Sequence, residues 1–349
     1  MTTLPSVRLG SSPLTITRLG LGTWALGGDG WAFGWGPQDA SEAIAAIRYA
    51  TEHGGLNWLD TAPIYGHGRA EELVGTALAA LPEDVRPYVF TKCGVVWGVD
   101  AEPGTVAGRR QSIERELDES LRRLQVDCID LYQMHWPATD GTPLEEYWQT
   151  LADLRQKGKI RAAGLSNHRL DELQRAHHVA PVDSFQPQFS ALARGAAEEI
   201  GWCASHSVGV ITYGALGSGL LTGAFTPERV AALPPSDWRS RDPGFRGRGL
   251  EKTMRLTRTL ADVATAHGVS TSAVAIAWVL ECRGVTGAIV GARRPEQIAD
   301  WRAAATVRLS AADLHRIAAV IRQEAIGSGP SHPHTEAWSA DSTESGEHH

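Results

Sequence analysis

Short apolar runs recur along this chain at intervals that leave room for one amphipathic helix between each pair. They lie near residues 19–23, 56–60, 87–92, 128–134, 160–165, 182–186, 208–213 and 285–290. Runs this short, rich in Val, Ile, Leu and Phe, read as strands buried on both faces. Between them the hydrophobic period switches to that of a helix. In SIERELDESLRRLQ, for example, Ile113, Leu117, Leu121 and Leu124 fall on one stripe. Three helix starts carry capping-box spacing: Asp39 with Glu42, Thr142-Pro143 with Glu145, and Ser310 with Asp313. A short opening, Val7 to Leu9 and then Leu14 to Thr17, has the spacing of a hairpin.

Eight strands alternating with helices, with no break in composition across 349 residues, predict an α/β fold with a parallel sheet. A closed (β/α)8 TIM barrel with a short N-terminal β-hairpin, spanning residues 1–326, is the economical arrangement. A doubly wound open sheet is the alternative. From Gly327 to His349 the chain is polar and aperiodic, and a disordered tail is expected over 327–349. The longest connection, 214–249, is rich in Gly, Pro and Arg. A loop of that length is expected to be a mobile lid.

Composition narrows the class. With 42% hydrophobic and 21% charged residues the chain is ordinary for a soluble globular protein. A net charge of −7 argues against nucleic acid or an anionic membrane as the default partner. No apolar run approaches the ~20 residues of a membrane span. The N-terminus lacks the basic start and apolar stretch of a signal peptide. Cys93, Cys128, Cys203 and Cys282 are scattered without paired spacing, as in a reduced, cytoplasmic protein.

Candidate chemistry gathers on one face. Asp60, Tyr65, Lys92 and His135 each lie at the C-terminal end of a predicted strand or just past it. In a barrel that end carries the chemistry. An acid, a phenol, an amine and an imidazole are the parts of a proton-donating site. Lys92 is one of only four lysines and follows an apolar run, where an amine is costly unless paired. Asp60 is its natural partner. A neighbouring ammonium lowers a phenol from ~10 by about 1–3 units, so Tyr65 is expected to move towards neutral pH. Of twelve tryptophans, Trp24, Trp31, Trp35, Trp97 and Trp136 sit in or beside loops on this same side. Singly each is as well read as a packing residue; as a group, Trp31, Trp35, Trp97 and Trp136 suggest the walls of an apolar substrate pocket.

Other chemistries find no support. GLGTWA (Gly20 to Ala25) fits the loose G-x-G-x-x-A pattern, but LGGDGWAFGWG follows it and cannot form the required helix, so a Rossmann site is discarded. There is no HExxH motif or Cys/His cluster for a metal and no G-x-S-x-G elbow for a serine hydrolase.

Several long motifs in order carry a specific resemblance: GLGTW, DTAPIYGHGRAEELVG, TKCG, DLYQMHWP, GKIRAAGLSNH, FQPQFS, TYGALGSGLLTG and VGARRPEQ. Over roughly residues 5 to 325 the chain resembles an aldo-keto reductase, closest in look to the bacterial general-stress and inositol-operon-like branch. The resemblance implies a (β/α)8 barrel that binds NADPH in extended form and converts a carbonyl to an alcohol. It implies Tyr65 as proton donor, Lys92 held by Asp60 as the group that tunes it, and His135 as the group that orients the substrate carbonyl. Thr23, Trp24 and Asp60 are implied among the cofactor contacts, with Ser166, Asn167 and Gln186 on the nicotinamide carboxamide and Tyr213 stacked on its ring. Leu216, Gly217 and Ser218 are implied along the pyrophosphate, Arg293 and Arg294 at the 2′-phosphate, and Gln297 at the adenosine. Two departures stand out: Trp301 where many relatives have an asparagine, and Gly214-Ala215 in place of Ser-Pro. A regulatory barrel that only senses nicotinamide, and an NADP-linked dehydrogenase working in the oxidative direction, remain open as alternatives.

Overall fold

The predicted strands all form, and they pair in parallel around a closed ring. This computed structural model describes residues 4–97 and 104–334. An antiparallel hairpin, β1 (Ser6–Arg8) and β2 (Thr15–Thr17), comes first. The barrel follows as β3 (Leu19–Gly22), β4 (Trp58–Asp60), β5 (Tyr88–Cys93), β6 (Ile129–Met134), β7 (Ile160–Ser166), β8 (Ser184–Gln186), β9 (Gly209–Thr212) and β10 (Val285–Gly291). Neighbours run in sequence order, and β10 closes onto β3. The helices are α1 (Ala40–Glu52), α2 (Arg69–Ala79), α3 (Arg110–Leu124), α4 (Leu144–Gln156), α5 (Leu170–Val179), α6 (Ala197–Ser205), α7 (Pro227–Ala231), α8 (Gly247–His267), α9 (Thr271–Glu281), α10 (Pro295–Trp301) and α11 (Ala311–Gln323). No single helix among the described residues is long and apolar enough to cross a membrane.

Two of the three expected caps hold. Asp39 accepts from the Glu42 N–H at 3.0 Å, and Ser310 and Asp313 exchange both bonds of a capping box. Thr142 does not cap: α4 starts after Pro143, and the Asp140 carboxylate takes the Thr142 N–H instead.

The inside of the barrel changes character along its axis. Trp58, Phe90, Leu131, Ala162, Ile211 and Ile289 fill the lower interior, and Leu9, Leu14 and Ile16 of the hairpin region close it from below. Trp58 lies across this floor and donates its indole N–H to the Thr17 carbonyl at 2.8 Å. A Cβ on Gly20 would meet its ring at 2.2 Å. Gly20 therefore makes room for Trp58; it is not part of a phosphate turn. Because side chains alternate along a strand, the next inward position lies two residues on. Two on from Trp58, Phe90 and Leu131 come Asp60, Lys92 and Gln133. The apolar floor thus carries a polar layer at the C-terminal end of the strands.

The connection 214–249 is not an unstructured loop. It holds short helical turns at Gly217–Thr222, Trp238–Ser240 and Pro243–Phe245 together with α7. Leu220, Phe225, Val230, Phe245 and Leu250 give it an apolar cluster of its own. Residues 234–241 cross to the β3–α1 loop: Trp35 and Asp237 form an antiparallel bridge, the Trp238 N–H donates to Gly34 at 2.9 Å, and Arg241 donates to the Ala32 carbonyl at 2.9 Å.

Of the expected tail, 327–334 lies against the body of the protein, with Arg322 donating to Ser331 at 3.1 Å. Residues 335–349 lie outside the described residues.

Candidate active site

Asp60, Tyr65, Lys92 and His135 converge at the C-terminal mouth of the barrel. The Lys92 ammonium donates to Asp60 Oδ1 at 2.6 Å and to the Thr61 carbonyl at 2.9 Å, and lies 3.4 Å from the Tyr65 hydroxyl. Lys92 and Asp60 are both buried. The other carboxylate oxygen of Asp60 accepts from Gln186 at 2.9 Å, so the pair is fully engaged. The His135 ring meets that of Tyr65 edge-on at 5.9 Å. Tyr65 is delivered by the loop after β4, which packs backbone to backbone on the β3–α1 loop. At Gly66, φ is +62° and a Cβ would meet the Gly27 carbonyl at 2.2 Å. That approach sets Trp24 over Tyr65, their rings stacked at 6.4 Å.

The electrostatics differ from expectation at Tyr65. Burial, with the Asp60 carboxylate adding to it, pushes the phenol well above its ordinary value, so the ammonium does not bring it towards neutral pH. Burial likewise lowers Lys92 against the pull of Asp60. Burial and then the Lys92 charge hold His135 well below the usual imidazole range. At neutral pH the phenol keeps its proton and the imidazole is neutral. This set can donate hydrogen bonds, and a proton, to an oxygen placed between Tyr65 and His135.

The remaining polar residues form a chain beside it. Tyr213 donates to Asn167 Oδ1 at 2.8 Å, and Asn167 donates to the His135 carbonyl at 3.0 Å and to Ser166 Oγ at 3.1 Å. The Ser166 hydroxyl donates to the Gln186 carbonyl at 2.8 Å. Asn167 adopts φ +61°, a left-handed turn that Asn tolerates better than most residues. Thr23 is tied to the Asp60 carbonyl through its own N–H at 2.9 Å and its hydroxyl at 3.1 Å.

A cleft of about 750 Å³ runs from Tyr65, Asp60 and Tyr213, past Leu216 and Ser218, to Arg293, Arg294 and Gln297. Gly217 is beside it, turned towards Leu192. Gln297 accepts from the N–H groups of Arg293 and Arg294 at 2.7 and 3.2 Å, so its carboxamide oxygen serves as a helix cap. Trp301 lines the far end and is buried, its indole N–H without a partner among the described residues.

The tryptophans divide. Trp31 faces Tyr65 at 6.3 Å, and Trp35 packs edge-on against Trp24 at 5.3 Å. Trp97 instead stacks on His67 at 5.7 Å, with Arg123 against its face at 5.9 Å, and Trp136 is 45% exposed beside His135. Sequence reasoning missed Trp238, stacked on Trp24 at 5.7 Å. It also missed Asp237, which holds Arg239 through two hydrogen bonds of 2.9 and 2.6 Å. Arg239 lies 4.3 Å from the Trp35 ring. Their one signal was the run SDWRSRD inside the long connection.

Comparison with known proteins agrees with this geometry. The profile described as "Aldo/keto reductase family" matches residues 18–322. The chain belongs to the aldo/keto reductase family. Aldo-keto reductase YhdN of Bacillus subtilis (strain 168) is 34% identical over 287 residues, 82% of this chain and 84% of that protein. The NADH-specific methylglyoxal reductase of Escherichia coli (strain K12) is 33% identical over 321 residues, 89% and 96% of the two chains. The solved structure of the glycerol dehydrogenase AKR11B4 from Gluconobacter oxydans, 34% identical, aligns with a TM-score of 0.81 over 91% of this chain and 95% of that one. Aldo-keto reductases are oxidoreductases of carbonyl and alcohol groups that use nicotinamide cofactors. The cleft suits such a group. It is long, polar at both ends, glycine-rich in the middle, and walled at its far end by an unpaired indole donor.

Proposed function

We propose that this aldo-keto reductase reduces a small aldehyde or ketone to the alcohol, with NADPH favoured and Tyr65 as the proton donor. The observation that carries the reading is the Lys92 ammonium, 2.6 Å from Asp60 and 3.4 Å from the Tyr65 hydroxyl. The nicotinamide cofactor supplies the hydride; the residues of this chain bind it, orient the carbonyl and manage the proton.

In this reading Ser166, Asn167, Gln186 and Tyr213 would hold the nicotinamide. The carbonyl oxygen lies between Tyr65 and His135. Burial keeps Tyr65 protonated, and therefore a donor, across the neutral range. As negative charge develops on the substrate oxygen, the Tyr65 proton moves to it. The phenolate left behind is stabilised by Lys92, whose charge Asp60 maintains. Neutral His135 can donate a hydrogen bond to the same oxygen without placing a second cation beside Lys92. A positioned general acid is typically worth about 10²–10⁴ in rate. Trp24 and Trp31 wall the reacting centre.

The same groups serve the reverse reaction, with tyrosinate as base. The similarity to a glycerol dehydrogenase favours small polyols as the alcohol-side substrates to try. A cytoplasmic location fits a nicotinamide-dependent reaction of this kind. The test is a panel of small aldehydes, aldoses and polyols assayed by nicotinamide absorbance with NADPH, NADH, NADP+ and NAD+. Turnover of a carbonyl with NADPH above that with NADH is expected. No turnover in either direction with any of the four sinks the enzymatic reading and leaves the sensing barrel.

A further inference from the structure

Arg293 and Arg294 are adjacent and line the same end of the cleft, yet their guanidinium groups stand in different positions. Every nitrogen of the Arg293 guanidinium is engaged by the β3–α1 loop, some 255 residues away in sequence. Its Nε donates to Gln38 Oε1, Nη1 to the Trp35 carbonyl at 3.0 Å, and Nη2 to the Pro37 carbonyl. Gln38 returns a bond to the Arg293 carbonyl at 3.3 Å. Arg294 is exposed. Among the described residues its guanidinium donates no hydrogen bond and forms no ion pair; only its backbone is used, the N–H donating to Gln297 Oε1 and the carbonyl accepting from the Gln297 N–H.

Turning Arg293 towards a phosphate would strand two backbone carbonyls and the Gln38 amide oxygen, at a cost set by three lost charge-assisted bonds. Turning Arg294 costs only the rotamer freedom of an exposed side chain. The loop that Arg293 holds also carries Trp31 and Trp35, which wall the site around Tyr65. Glu42, Glu296 and Asp300 line the same cleft as Arg294. They oppose a phosphate dianion and match the hydroxyl groups of an unphosphorylated ribose.

We propose that Arg294 alone supplies the positive charge for a cofactor 2′-phosphate, while Arg293 is a positioning residue, a strut tying the cofactor end of the cleft to the aromatic loop over Tyr65. This rests on the dinucleotide reading of the cleft given above. It makes the preference for the phosphorylated cofactor that of one guanidinium working against three carboxylates, so the chain accepts both nicotinamide dinucleotides with a modest bias. The bias belongs to Arg294 and the loop to Arg293.

Isothermal titration of NADP+ and NAD+ into the full chain and its R294A, R293A and Q38A variants separates the two roles. Limited chymotrypsin digestion without cofactor reads the loop. R294A should weaken NADP+ by about tenfold or more and leave NAD+ close to the unmodified protein. R293A should change both affinities by a similar factor and speed cleavage after Trp31, Phe33 or Trp35. Q38A, which touches neither guanidinium's charge, should reproduce the faster cleavage with the affinity ratio retained, and it stands in for R293A if that variant does not fold. The proposal is overturned if R293A collapses the NADP+/NAD+ ratio, if R294A leaves it unchanged, or if R293A and Q38A are cleaved as slowly as the unmodified protein. Should the unmodified protein bind neither dinucleotide, the reading of the cleft fails, whereas the digestion still decides the strut.

Discussion

Asp60 and Lys92 each make the other tolerable where neither could be charged alone. Removing one partner of such a buried pair typically costs about 3–5 kcal/mol, because the other charge is left without compensation. Lys92→Met is therefore expected to lower the melting temperature and the turnover together. It should also move the alkaline limb of the pH–rate profile upward, as Tyr65 loses its nearest cation. A fall in turnover with an unmoved profile would make Lys92 a scaffold only. Glu116 offers a second test at this scale. It is buried, accepts the Gly94 N–H at 2.8 Å just beyond Lys92 and Cys93, and burial pushes it up to about 7 from 4.5. Folded protein thus holds this proton more tightly than unfolded chain. Stability from this group is fully present below pH 4.5 and is lost as pH rises through about 7, a loss on the order of 3 kcal/mol. Glu116→Gln should melt higher than the unmodified protein at pH 8 and show little gain at pH 5; equal gains at both would show that Glu116 does not titrate in this window. The positions of Asp60, Tyr65, Lys92 and His135 were legible because strand ends and residue type coincide there. The upward push on Tyr65 was not, since burial is a property of the fold and not of the spacing between residues.

Among the elements, the crossing segment 234–241 shows what sequence patterns miss. Gly, Pro and Arg in that stretch read as a loose lid, yet the segment packs its own apolar cluster and bridges to the β3–α1 loop. The contacts that order it join Trp238 to Trp24 and Trp35, which lie 203 or more positions away from it in sequence. No local pattern encodes such a pairing. Asp237 is 2% exposed and holds Arg239 through two hydrogen bonds, so Asp237→Ala leaves a half-buried guanidinium without a carboxylate, its remaining hydrogen bond being to the Ser218 carbonyl. Trypsin should then cut faster at Arg241 and Arg246, NADPH should slow that cutting, and the melting of the barrel should change little. Cleavage at the unmodified rate would mean that the tryptophan contacts and the bonds to Gly34 and Ala32 hold the segment without the Asp237–Arg239 pair. The helix starts at Asp39 and Ser310 were legible from spacing, whereas at Thr142 a neighbouring carboxylate, Asp140, takes the N–H that the pattern assigned within the box.

For the whole molecule, the barrel separates stability from chemistry along its axis. Trp58, Phe90 and the hairpin residues close the lower end, and the polar layer opens at the upper one. Trp58→Ala should cost about 3–5 kcal/mol, as truncation of a buried aromatic does. Cofactor affinity should stay nearly unchanged, because the lower end of such a barrel serves folding. A large loss of cofactor binding in a variant that remains folded would couple the two ends and contradict this division. All eight strands were found in sequence to within about two residues, since runs buried on both faces leave little ambiguity. The role of Gly20 was hidden, because the ring it accommodates belongs to the next strand.

The most direct measurement is on Tyr65→Phe, which removes one hydroxyl from the reacting centre and leaves the rest of the cleft intact. Calorimetric titration with NADPH and single-turnover kinetics with an accepted aldehyde would be compared with the unmodified protein. Cofactor affinity should be nearly unchanged, while the reduction step slows by about 10²-fold or more. Reduction at the unmodified rate, with cofactor bound equally well, would contradict the assignment of Tyr65 as proton donor.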